Sequence, residues 1–186
     1  MKKKILVLVM VASMVILNAG LAAALQEGEV NYPGPSIFYG VQTLNGDLMA
    51  VNFGGEVGFS SNFGLEGMVT YYQEKEDNLV LDLNSKLAIV HDQDVSVSAL
   101  AGIHTQPKNF SQIYPRVGVL VSKHETSALD MNAGIDFLLR KPSDYIGYML
   151  GFDYGLTRHI HIEVEHRRFS GQAKTEGLNV GMRYHF

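Results

Sequence analysis

The chain has 186 residues and contains neither Cys nor Trp, so disulfide staples, Cys-ligated zinc and a thiol nucleophile are excluded, and the length suits one domain. Charged residues make up 18%, below the roughly 25% usual in soluble domains, while apolar residues make up 46%. No stretch is long and apolar enough for a mature transmembrane helix, so this composition suits a chain that shows apolar surface to lipid in another form.

Residues 1–24 have the three parts of a secretory signal peptide: basic Lys2, Lys3 and Lys4, an apolar run over 5–17, and the small-residue site Ala22-Ala23-Ala24. Cleavage after Ala24 removes three basic side chains and no acidic one, leaving the mature chain more acidic than the formal −4 of the whole. Nucleic acid, which selects a basic stripe, is therefore not an expected partner. Residues 25–35, with Pro33-Gly34-Pro35, read as an irregular periplasmic tail.

From residue 36 onward the chain alternates with period two, and no helical stripe interrupts it. Ten segments emerge: 36–44, 48–59, 63–72, 79–90, 95–104, 113–122, 128–139, 145–154, 160–169 and 177–186. In the last, Leu178, Val180, Met182, Tyr184 and Phe186 share one face, and Asn179, Gly181, Arg183 and His185 the other. The first is the weakest, with Ile37, Tyr39 and Val41 opposed to Gly40 and Gln42; if it fails to pair, eight strands is the alternative count. Asn45-Gly46 is a strong hairpin turn, and the other connectors are short, so sequence neighbours can pair antiparallel throughout.

Alternation alone does not say which face is inside. The polar face is rich in Gly (40, 54, 58, 64, 102, 118, 134, 151 and 181), which suits a crowded lumen better than a solvated surface. The apolar face is uniform and carries aromatics near strand ends: Phe59, Phe63, Tyr154, Tyr184 and Phe186 at one rim, and Tyr71, Phe137, Tyr145 and Phe169 at the other. Paired aromatic belts are what a bilayer interface selects.

The ending on Phe186 with Tyr184 and Met182 before it resembles the terminal strand of bacterial outer-membrane β-barrel proteins, in which this pattern is read by the barrel-assembly machinery. The segment GGEVGFSSNFGLEGMVTYY, residues 54–72, resembles the early hairpin of small OmpA-like barrels. The resemblance implies an all-β, membrane-spanning, antiparallel up-and-down β-barrel over residues 36–186, with both ends in the periplasm. The absence of Trp and the short outer loops speak against an adhesin or receptor role.

Charged residues on the polar face define an expected lumen network. Glu163 should meet Arg183, and His161 should meet His185 and Asp153; Glu66 should face Lys86 with Glu56 nearby, and Arg116 should reach Asp136. The cluster His159, His161 and Glu163 also has zinc-ligand chemistry, but mutual pairing in the lumen is the preferred reading, with no metal, cofactor or catalytic residue assigned. Some outer-membrane lipid hydrolases carry a His-x-Ser motif in the penultimate strand; the nearest match is His166 with Ser170, four apart, with Glu176 in the following loop. The expectation is therefore an outer-membrane barrel of a didermal bacterium with a structural or narrow porin-like role. Its partners would be outer-membrane lipid, the assembly machinery and small solutes. A lipid-modifying enzyme and a soluble lipocalin-like binder are the competing classes.

Overall fold

A computed structural model describes residues 30, 34–44, 48–73, 79–106, 112–139, 145–170 and 175–186. The expected signal peptide lies outside the described residues, and so does most of the tail. The strands are β1 (Pro35–Leu44), β2 (Leu48–Ser60), β3 (Phe63–Tyr72), β4 (Leu79–His91), β5 (Val95–Thr105), β6 (Ile113–Thr126), β7 (Leu129–Leu138), β8 (Tyr145–Gly155), β9 (Ile160–Ser170) and β10 (Thr175–His185). Each pairs antiparallel with its sequence neighbours, and β1 pairs with β10 to close the barrel. Ten strands form, and the eight-strand count is excluded: the weak first segment pairs along its whole length with β2 and β10. The reason is closure, since without β1 both β2 and β10 would present unpaired edges in lipid.

The apolar face is the outer one. Phe53, Phe59, Leu83, Leu87, Leu150, Tyr154, Leu178 and Val180 are all exposed, while Glu56, Glu66, Lys86, Asp153, Glu163 and Arg183 are buried. This inversion of a soluble core follows from closure in lipid: the exterior meets hydrocarbon, and the interior collects the polar side chains. Glycines make room for those side chains. A Cβ on Gly54 would lie 2.1 Å from the Phe38 ring, and one on Gly147 2.3 Å from the Asp136 carboxylate. Across the ladders, Lys86 stands opposite Gly64, Arg116 opposite Gly102, and Glu163 opposite Gly181.

The hairpins at the end shared with Phe186 are short. Three of them carry a register shift just before the turn, at Gly58/Ser60, Ala88/Val90 and His124/Thr126, as barrel rims often do. In the β2–β3 turn the Ser60 hydroxyl accepts from the backbone N–H groups of Asn62 and Phe63. In the β4–β5 turn the Asp92 carboxylate accepts from the N–H groups of Val95 and Asp94, and these bonds hold its pKa below the usual carboxylate range. β6 runs on to Thr126, where the sequence pattern suggested a connector from Lys123. The extension forms a polar hairpin with the start of β7, held by a His124–Asp130 contact of 2.7 Å.

The outer belt differs from expectation. Phe169 points inward and lines a lumen cavity, and Tyr145 shares its parity with the lumen residues Gly147 and Met149. Tyr71 and Phe137 do face outward, joined by Tyr148.

Candidate functional site

The lumen has two levels. Nearest the Phe186 end, a chain of charges crosses it through five strands. Lys86 Nζ lies 2.5 Å from Glu56 Oε2 and 3.7 Å from Glu66 Oε2. Arg183 reaches Glu56 at 3.6 Å and donates from Nε to Glu163 Oε1 at 2.8 Å and from Nη1 to the Ser36 hydroxyl at 3.1 Å. Its guanidinium also lies over the Phe38 ring, 5.1 Å from the centroid. Asn84 donates to Glu66 Oε1 at 2.9 Å. Arg183, Phe38 and Lys86 have no exposure at all, so side chains fill the lumen at this level. Beside it Leu100, Leu120 and Met149 form a small apolar cluster, and Ser122 hydrogen-bonds Asn132.

The structure thus brings Glu56, Glu66, Lys86, Glu163 and Arg183 together, but not in the simple cross-strand pairs that the sequence suggested. Arg183 stands opposite His161 in register, and Glu163 opposite Gly181. The missing side chain at Gly181 lets Arg183 reach diagonally to Glu163. Lys86 likewise crosses above Gly64 and makes its shorter contact with Glu56, not with Glu66. His161 Nδ1 lies 2.6 Å from Asp153, and its ring is 4.6 Å from that of His185. His159 leaves this group: it sits in the turn before β9, outside the lumen, and stacks on Tyr184 with centroids 6.0 Å apart. That removes one member of the His159–His161–Glu163 set.

Toward the other end the lumen opens into a cavity of about 60 Å³. Its lining includes Tyr72, Asp82, Arg116, Asp136, Arg167 and Phe169. Arg116 Nε donates to Asp136 at 2.6 Å, and its Nη1 lies 3.8 Å from Asp82. His104 contacts the same Asp82 at 2.9 Å, and Arg167 lies 2.7 Å from Glu165. Sequence reasoning singled out Arg116 and Asp136 here but passed over Asp82, and it passed over Phe38 in the plug. Both have the parity of polar-face neighbours, which was the available signal.

On the outer wall, His166 Nε2 lies 3.0 Å from Glu176, which belongs to β10 and not to a loop. Ser170 donates its hydroxyl to the Ile146 carbonyl at 3.2 Å. The same-face position between His166 and Ser170 is Arg168.

Comparison with known proteins agrees with this architecture. No curated protein matches the chain in sequence. Among solved structures it is similar to the KdgM porin in complex with disordered oligogalacturonate, with TM-score 0.57 and 13% identity over 81% of this chain and 99% of that one. It is similar to the NanC porin, with TM-score 0.58 and 8% identity over 81% and 98%. It also resembles the outer membrane protease OmpT from Escherichia coli, with TM-score 0.56 and 10% identity over 88% and 99%. At these identities what is shared is the fold, which hosts both transport and hydrolysis. A family model described as outer membrane protein beta-barrel domain matches residues 8–186. With a closed ten-strand barrel, an apolar wall and a charged lumen, this chain belongs to the outer-membrane β-barrel family.

Proposed function

We propose that the protein is a narrow porin-like channel whose path is a vestibule at one end, interrupted by a charge plug at the other. The observation that carries the proposal is the complete burial of Arg183, Phe38 and Lys86 across the lumen, beside a cavity bounded by ionisable side chains. The passing species would be small cations. Among the described residues, seven buried carboxylates (Glu56, Glu66, Asp82, Asp136, Asp153, Glu163 and Glu165) face four buried cations (Lys86, Arg116, Arg167 and Arg183). That excess disfavours an acidic saccharide such as the KdgM ligand, because a selective path needs charge opposite to its solute. In planar bilayers we expect low wild-type conductance, a larger conductance when Phe38→Ala thins the plug, and a reversal potential favouring cations. A large wild-type conductance that Phe38→Ala leaves unchanged, or anion preference, would overturn the proposal.

In this reading residues 1–24 direct export and are removed, and the C-terminal strand is the insertion signal; the expected tail over 25–35 is shortened, since Pro35 opens β1 and Val30 is buried against Gly64. The Phe186 N–H donates to the Pro35 carbonyl at 3.1 Å, and its ring meets Tyr184 edge-on at 4.9 Å. Phe186 thus joins the closing seam to the belt that an assembly machinery would read. Deleting Phe186 should lower the yield of heat-modifiable barrel in the outer membrane; undiminished assembly would refute that role.

The protein would not be an enzyme. A lipid hydrolase of the His-x-Ser type needs a hydroxyl two residues after the histidine, where this chain has Arg168, and the Ser170 hydroxyl is engaged by the Ile146 carbonyl. Lipid A from a deletion strain should keep its acyl pattern by mass spectrometry.

A further inference from the structure

The lipid-facing wall is apolar on almost every strand. Among the described residues its Lys, Arg, His, Asp and Glu side chains within the strands are Lys123 and Glu125, an ion pair of 2.5 Å near the turn after β6, and a group of three on β9 and β10: His166, Arg168 and Glu176. All three are solvent- or lipid-accessible, with side-chain exposures of 49%, 61% and 54%. Arg168 stands opposite Glu176 in β10 and opposite Tyr148 in β8, and His166 stands opposite Leu178 and Leu150. A groove runs between them, lined by Tyr148, Leu150, His166, Arg168 and Ser170.

Their height decides what they meet. Arg168 lies eight residues along β9 from Ile160, whose cross-strand partner Tyr184 belongs to the aromatic belt at the Phe186 end. At about 3.3 Å per residue and a tilt of about 40°, that is roughly 20 Å up an apolar band about 25 Å tall. Arg168, with Glu176 beside it, therefore sits near the opposite interface, within reach of lipid phosphates, where a basic side chain costs little; His166, two residues earlier on the strand, lies about 5 Å deeper.

We propose that this groove binds a phosphorylated lipid of the outer leaflet. Its phosphate would be held by Arg168, and its acyl chains would lie along Tyr148, His166, Leu150 and Leu178. Arg168 supplies a planar donor fork suited to phosphate oxygens. Its contact with Glu176 is long, 3.9 Å, and so leaves the guanidinium available to an added anion. Glu176 acts as a competitor that the lipid phosphate displaces, and it sets the affinity rather than making it.

The test is binding to the full refolded chain in a phosphate-free detergent, followed by native mass spectrometry. The probes are lipid A with both phosphates, the same lipid dephosphorylated, and inorganic phosphate. We expect the two-phosphate lipid to bind wild type, and Arg168→Gln to weaken binding about fivefold, as one interfacial basic residue should. Glu176→Gln should strengthen it, and Lys123→Gln at the far rim should leave it unchanged. The opposite signs for Arg168 and Glu176 separate a site from a folding defect. Equal binding of the dephosphorylated lipid, equal losses at Arg168 and Lys123, or displacement of the lipid by inorganic phosphate at matched concentration would each overturn the proposal. So would a dimer that buries this wall and ignores the lipid.

Discussion

Arg183→Met is expected to destabilise the refolded barrel by about 3–5 kcal/mol, read as a lowered urea midpoint in lipid vesicles. The size follows from what the substitution strands. Glu163, itself buried, loses its 2.8 Å donor, and Ser36 loses a donor as well. Glu56 keeps Lys86 at 2.5 Å, so the loss falls mainly on Glu163. Glu163→Gln should lower the midpoint too, by removing the carboxylate 2.8 Å from Arg183 and leaving Glu56 at 3.6 Å as its nearer charge partner. The double variant should lose less than the sum, because its members share one contact. Strict additivity would mean that the two side chains do not meet. A small single-variant loss of about 0–1 kcal/mol would mean that the plug is wet, the value for exposed pairs. Conductance of the same four proteins ties stability to transport: strong coupling with larger currents in the variants is the signature of a plug. Strong coupling with unchanged currents would put the pair on the wall of an open pore.

The fold was legible in the sequence because a closed membrane barrel permits little else. Period-two alternation fixed the strands, the Gly-rich polar face fixed which side is inward, and the run ending at Phe186 fixed the closing strand. The strand ends drifted where hairpins turn polar on both faces, as in β6 over Lys123–Thr126, since alternation fades there. The lumen was legible in its members but not in its geometry. A pattern places Glu163, Arg183, Lys86 and Glu66 on one face, yet it cannot show that strand tilt and opposing glycines send long side chains diagonally. Lys86 therefore bonds a residue two strands away. Apolar lumen residues such as Phe38, Leu120 and Met149 were hidden because they break the polar pattern. Their role is to fill space beside the charges, which no periodicity announces. The polar group on the outer wall was hidden for the converse reason: it breaks the apolar pattern toward an interface, where lipid tolerates it.

Ile135→Arg should cost about 2–4 kcal/mol in vesicles, and its dependence on depth tests which face meets hydrocarbon. Ile135 is in the middle of β7, between Val119 and Tyr148 on neighbouring strands, both exposed on the outer wall. An arginine there has no water and no carboxylate within its face, so it must snorkel or thin the bilayer. Leu129→Arg, at the rim beside Tyr154, should cost only about 0–1 kcal/mol, because the guanidinium reaches headgroups. Sequence alone suggests that the adjacent Asp136→Asn would be mild. The structure changes that expectation: Arg116 Nε is 2.6 Å from Asp136, and the remaining Asp82 contact is 3.8 Å, so the variant leaves a buried cation poorly paired. The size of the loss therefore does not distinguish lumen from lipid, but its response to the bilayer does. Shortening the acyl chains brings the interface toward Ile135 and should reduce the Ile135→Arg penalty. The Asp136→Asn penalty is set by pairing inside the lumen and should stay constant. A penalty at Ile135 that ignores chain length, or one at Asp136 that follows it, would mean that the faces are reversed.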